Sequence, residues 1–120
     1  MTRRTYIIDI DGTILPQNTS DPVAQWRGEP DELLPGVVDF FAQVEQAGDC
    51  IVLLTARRES CRPRLEATLR RLGLFWDELV MGAGSGPRVL INDSATGETK
   101  AHAVNIPRNT GLSKVLEQVA

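Results

Sequence analysis

The stretch Tyr6-Ile7-Ile8-Asp9-Ile10-Asp11-Gly12-Thr13 sets an apolar, β-branched run directly against two carboxylates. Residues 6–10 read as a strand buried on both faces, because covered parallel strands carry near-continuous apolar runs. Side chains two apart in extended backbone point the same way, so Asp9 and Asp11 share a face. Two carboxylates side by side at the end of a hydrophobic strand repel each other unless positive charge lies between them. A hard divalent cation with oxygen ligands answers that need, Mg²⁺ above all. Gly12 lets the backbone turn away. An Asp-Gly pair alone would mean only a turn, but a turn does not require the carboxylate two residues earlier.

Outward from this strand, residues 13–34 carry Pro16, Asn18, Ser20, Pro22, Gly28 and Pro30, a loop too long to be a simple connection. Pro35-Gly36 opens a helix whose apolar stripe is Val37, Val38, Phe40, Phe41 and Val44, and Gly48 ends it. Cys50 to Leu54 is a second buried strand. A second helix begins near Ser60, takes Pro63 in its first turn, turns Leu65, Leu69 and Leu72 inward, and stops at Gly73. Further strands are expected at Glu78–Met81, Arg88–Asn92 and His102–Ile106, with a mobile loop over residues 82–87 and a closing helix from Leu112 to Val119. Strands alternating with helices imply an α/β fold: three α/β/α layers, Rossmann-like, around a five-stranded parallel sheet with no separate cap domain. In such sheets ligands bind beyond the carboxyl ends of the strands. Asp9, Asp11, Thr55 and Asp93 all fall at strand carboxyl ends, and packing gives no reason for polar groups to converge there.

Composition bounds the answer. A chain of 120 residues, 42% hydrophobic and 24% charged, suits a single domain over residues 1–120, with 13–34 as a flap or loop insertion. No apolar stretch approaches a membrane span, and Met1-Thr2-Arg3-Arg4 runs straight into the first strand, so no signal peptide is expected. Cys50 and Cys61 have no metal spacing and read as reduced thiols of a cytoplasmic protein. A net charge of −3 argues against a protein built to hold nucleic acid.

The pentad Asp9-Ile10-Asp11-Gly12-Thr13 resembles the first signature of the haloacid dehalogenase superfamily of phosphohydrolases, in its small capless type. Ile51-Val52-Leu53-Leu54-Thr55 is similar to the second motif and Val89-Leu90-Ile91-Asn92-Asp93 to the fourth. The Lys of the third motif has no clear counterpart; Arg88 and Lys100 compete for its place. The resemblance implies Asp9 as the nucleophile that becomes an aspartyl phosphate and Asp11 as the general acid and base. It also implies Thr55 as a donor to the phosphoryl oxygens, and Mg²⁺ held by Asp9, Asp93 and the Asp11 main-chain carbonyl. Gly12, Thr13, Ala56, Arg57 and Asn92 are expected around the phosphate.

The expected activity is therefore that of a Mg²⁺-dependent phosphatase hydrolysing a phosphate monoester. Its expected partner is a small phosphorylated metabolite such as a sugar phosphate, with no nucleic acid and no membrane. A homo-oligomer could roof a site that lacks a cap. Arg57, Arg58, Arg62, Arg64, Arg70 and Arg71 concentrate positive charge between Thr55 and Gly73, where the first two lie near the mouth and the last four read as a solvated helix face. Two alternatives remain. The doubtful third motif leaves room for a catalytically inactive phosphate-binding module. A receiver-type signalling domain would need an acceptor Asp at the end of the second strand, where Val52-Leu53-Leu54-Thr55 has none.

Overall fold

Alternation of side chains along three short strands decides which surface is buried. The computed structural model describes residues 3–17, 32–95 and 97–119. In chain order its elements are β1 (Thr5–Asp9), α1 (Val37–Ala47), β2 (Cys50–Leu54), a 3₁₀ turn (Glu59–Cys61), α2 (Arg62–Arg71), β3 (Glu78–Val80) and α3 (Val115–Val119). The strands form one parallel sheet in the order β1-β2-β3. Register pairs Ile8 with Leu53 and Leu53 with Leu79, so these lie on one face with Tyr6 and Ile51. Ile8, Ile51, Leu53 and Leu79 are all buried in a single cluster with residues of both longer helices.

Helix α1 buries Val37, Phe40, Phe41 and Val44, an i, i+3, i+4, i+7 stripe. Val38, included in the expected stripe, is 61% exposed. Phe40 meets Tyr6 edge-on at 5.2 Å, and Phe41 meets Phe75 at 5.5 Å, favourable geometries for aromatic pairs. Helix α2 starts with Pro63 in its first turn and buries Leu65, Thr68 and Leu69. Its Arg62 Nη2 donates to the Leu79 carbonyl at 3.0 Å, tying helix to strand.

Three expectations are corrected. First, β1 is buried on one face only: Ile7, on the other, is 50% exposed because β1 is an edge of the sheet and its second face is poorly covered. Second, among the described residues the sheet has three strands rather than five. Residues 88–92 and 102–106 are not strands, and Val89, Leu90 and Ile91 are 81%, 60% and 90% exposed. Strand propensity is realised only where a neighbouring edge accepts the ladder, and these runs pair with none. Third, the loop over 82–87 is anchored at its start, where Gly82 N–H donates to the Arg57 carbonyl and Ala83 N–H to the Thr55 carbonyl. Of the expected flap over 13–34, residues 18–31 lie outside the described residues.

The last part of the chain holds the first loop in place. Asn109 N–H donates to the Gly12 carbonyl, and its side chain reads the Gln17 backbone both ways, accepting from Gln17 N–H at 2.8 Å and donating to the Gln17 carbonyl at 3.1 Å. Leu112 N–H donates to the Pro35 carbonyl. Gly111 sits between them at φ +86°, where a Cβ would stand 2.1 Å from the Pro35 oxygen. Gly111→Ala is expected to destabilise the fold by more than the roughly 1–2 kcal/mol of a left-handed non-glycine residue alone. An unchanged thermal midpoint would show that this contact holds nothing. No helix of the described residues is long and apolar enough to cross a membrane.

Candidate active site

Asp9 closes β1, Thr55 follows β2, and the parallel register sets these two strand ends side by side. Past Asp9 the backbone winds into a tight turn in which Thr13, Ile14 and Leu15 N–H groups all converge on the Ile10 carbonyl. Gly12 takes φ +89° there. The turn carries Asp11 back beside Asp9, and both line one open cavity of about 280 Å³ with Gly12, Thr13, Gln17, Ile106 and Arg108.

Asp11 is the most heavily engaged group. Thr55, fully buried, donates its hydroxyl to Asp11 Oδ2 at 3.0 Å. Arg57 grips the same carboxylate with Nη2 on Oδ1 at 2.6 Å and Nε within 3.2 Å of both oxygens. Both partners of this ion pair are about four-fifths hidden, with side chains 18% and 17% exposed. Charge-assisted forks of this kind are among the stronger protein hydrogen bonds. Arg57 N–H in turn donates to Thr55 Oγ1 at 3.1 Å, closing a three-residue network.

Asp9 stands in a different setting. Burial pushes its carboxyl up from the usual aspartate range and the negative charge of Asp11 adds to the rise, while Arg88 pulls it back down. The Arg88 guanidinium lies 3.7 Å from Asp9 Oδ1, and its Nη1 donates to the Gly86 carbonyl at 2.8 Å. A strand over 88–92 would have set Arg88 far from the site, at its opposite end. Since that strand is absent, Arg88 arrives beside Asp9 instead.

Other expected residues are less gathered. Gly12 and Thr13 N–H groups are committed to Leu15 and Ile10 carbonyls. Ala56, just past β2, keeps its N–H uncommitted among the described residues. Asn92, Asp93 and Lys100 are exposed; Asn92 Nδ2 donates to the Asp93 carbonyl at 3.1 Å, and Lys100 makes no ion pair among the described residues. No three His, Cys, Asp or Glu side chains cluster as a metal-ligand set among the described residues. The donor chemistry near Asp9 still suits Mg²⁺: two carboxylates line one cavity, and the Asp11 main-chain carbonyl accepts no hydrogen bond among the described residues.

Of the basic cluster, Arg62 pairs with Glu59 and Arg70 with Glu66, while Arg70 also lies over the Trp76 ring at 5.2 Å. Those two serve the helix and its packing. Sequence reasoning missed Gln17, Ile106 and Arg108 in the cavity lining. The one local signal was Pro107-Arg108-Asn109-Thr110, a turn sequence, and it carries no hint of which loop it meets.

The family described as the polynucleotide kinase PNKP phosphatase domain matches residues 3–83. Among solved structures, a chain of a Pnkp1/Rnl/Hen1 complex is 27% identical with a TM-score of 0.56, covering 72% of this chain and 30% of its own. A chain of the Pnkp1/Rnl/Hen1 RNA repair complex is 27% identical with a TM-score of 0.57, covering 72% of this chain and 27% of its own. The present chain thus spans less than a third of the solved chains it matches. No curated protein matches it. These findings overturn one expectation. A small phosphorylated metabolite as partner, with nucleic acid excluded and a second copy of the chain as neighbour, does not fit relatives named for a polynucleotide and for RNA repair. Net charge misled because it averages the whole surface, while three arginines stand around the aspartate pair.

Proposed function

The chain belongs to the haloacid dehalogenase superfamily, in the family of the polynucleotide kinase PNKP phosphatase domain, and from that premise we propose that it hydrolyses a terminal phosphate monoester of a polynucleotide. The observation that carries the reading is the shared cavity of Asp9 and Asp11, with Arg57 and Thr55 fixed on Asp11.

In the proposed cycle the Asp9 carboxylate attacks phosphorus and the bond to the ester oxygen breaks. Asp11, protonated at that stage, gives its proton to the leaving hydroxyl. Asp11 then takes a proton from water, which attacks the aspartyl phosphate, releasing inorganic phosphate and restoring Asp9. General acid/base assistance of this kind contributes roughly 10²–10⁴-fold. Arg57 cannot stay on Asp11 throughout. An arriving phosphoryl group competes for the guanidinium, and its transfer frees Asp11 while neutralising the oxygens. The Ala56 N–H, uncommitted among the described residues, would add a further donor.

Mg²⁺ would be held by the Asp9 carboxylate and the Asp11 main-chain carbonyl, with Asp93 as the proposed third oxygen ligand. Bound there, it would offset the negative charge shared by nucleophile and substrate. Arg88, rather than Lys100, is assigned the third-motif charge, since it already faces Asp9 at 3.7 Å. The reading is tested by phosphate release from an oligonucleotide with a terminal phosphate, with and without Mg²⁺. Binding without release in either condition would favour the inactive-module alternative, which the wholly engaged Asp11 also fits.

Nucleophilic Asp9 must be ionised, so kcat/KM is expected to rise with pH through its raised pKa. Arg88→Ala removes the influence that lowers that pKa. The acidic limb of the pH–rate profile should then move to higher pH; a limb that stays put, or moves down, would separate Arg88 from Asp9.

A further inference from the structure

Three arginines surround the aspartate pair, and they differ in what they hold. Arg57 is committed to Asp11 and Arg88 to Asp9. Arg108 lines the same cavity as both carboxylates, yet its guanidinium makes no hydrogen bond or ion pair among the described residues. Its stem is not loose. Cγ packs against the first loop, 3.2 Å from where a Gly12 Cβ would be, so the missing side chain of Gly12 makes room for it. The backbone beneath is a tight turn: Thr110 N–H donates to the Pro107 carbonyl and Asn109 takes φ +65°, as a type II turn requires at that position. Asn109 then locks the turn onto Gly12 and Gln17 through three hydrogen bonds. A rigid base therefore carries an exposed cation to the rim of the cavity.

We propose that Arg108 grips an internucleotide phosphate next to the terminal phosphate, so that the site reads two successive phosphates of a polynucleotide end. This rests on the polynucleotide reading above. Arg57 is carried by the segment after β2 and bonds Asp11, whereas Arg108 is carried by the 107–110 turn, against Gly12 and Gln17. Arg57 is held on the Asp11 carboxylate, so the cavity's own cation, Arg108, is available to a second phosphate. The planar guanidinium fork suits a phosphodiester's two free oxygens. Arg108 also lies beyond residues 3–83, the part that matches the family, so the contact is a feature of this chain's own last segment.

The test uses the Asp9→Asn protein, which retains substrate, with and without Arg108→Gln, which keeps most of the stem and removes the charge. Affinity is measured for a short single-stranded oligonucleotide with a terminal phosphate, and for a mononucleotide with the same single phosphate, across salt concentrations. Arg108→Gln should weaken oligonucleotide binding about tenfold, as loss of one charge-assisted hydrogen bond implies. The slope of log affinity against log salt should shrink by about 0.7, the value for one single-strand phosphate contact. Mononucleotide binding should suffer clearly less, and Arg108→Lys should recover the salt slope. An unmoved slope overturns the proposal. Equal losses for both ligands also overturn it, because Arg108 would then hold the scissile phosphate. Absence of any oligonucleotide binding by the parent protein, with mononucleotide still bound, overturns the polynucleotide reading and this proposal together.

Discussion

Asp9→Asn is expected to lower phosphate release by on the order of 10⁴-fold or more, the scale of loss when a covalent nucleophile is removed. The same variant should be more stable than the parent at neutral pH. Asp9 is held above the usual aspartate range, first by burial and then by Asp11. An acid with a raised folded pKa binds more protons folded than unfolded between its two values, so stability falls as pH climbs through that window. At neutral pH the parent carries the whole of this penalty and the amide carries none. Below the ordinary aspartate value the difference should vanish. Activity within tenfold of the parent would remove Asp9 from the nucleophile's role. A midpoint that drops at neutral pH would contradict the strained setting described for it.

Arg57→Ala should cost about 10²–10³-fold in kcat, the usual effect of deleting one preorganised donor to developing charge. Two changes are combined in that figure. The phosphoryl oxygens lose a cation, and Asp11 loses the partner that aims its carboxylate through contacts of 2.6 to 3.2 Å. Arg57→Lys separates them. A lysine restores a point charge but cannot make the two-pronged contact, so it should recover little. Full recovery with Lys would mean that the fork geometry is irrelevant and only net charge matters.

The aspartate pair, Thr55 and the helices were legible because each depends on local order. The apolar run ending in Asp-x-Asp-Gly marks a strand end followed by a turn, although it is the turn rather than strand alternation that brings Asp11 beside Asp9; the end of an apolar run places Thr55, and the stripe with its flanking glycines bounds α1. The expected fourth and fifth strands were not. Val89-Leu90-Ile91 declares a preference for burial, but nothing in three residues says which surface will provide it. The Arg57–Asp11 pair spans 46 positions and the Asn109–Gln17 lock spans 92, distances at which no spacing rule operates. Arg88 could be set no higher than Lys100, because its expected strand, which does not form, would have started it at the far end from the site. The partner class failed for a related reason: a sum over the chain cannot report where its charges stand.

Similarity to the family ends at residue 83, yet the loop bearing both aspartates is braced by residues 109–112, through Gly12, Gln17 and Pro35. The boundary drawn by kinship is therefore not the boundary of the cooperative unit. A fragment trimmed to the recognisable portion would keep every signature residue of its first two motifs and lose the brace that sets them in register. A truncation that stops short of Leu112 is therefore expected to lower the thermal midpoint, since it removes the hydrogen bonds to Gly12, Gln17 and Pro35.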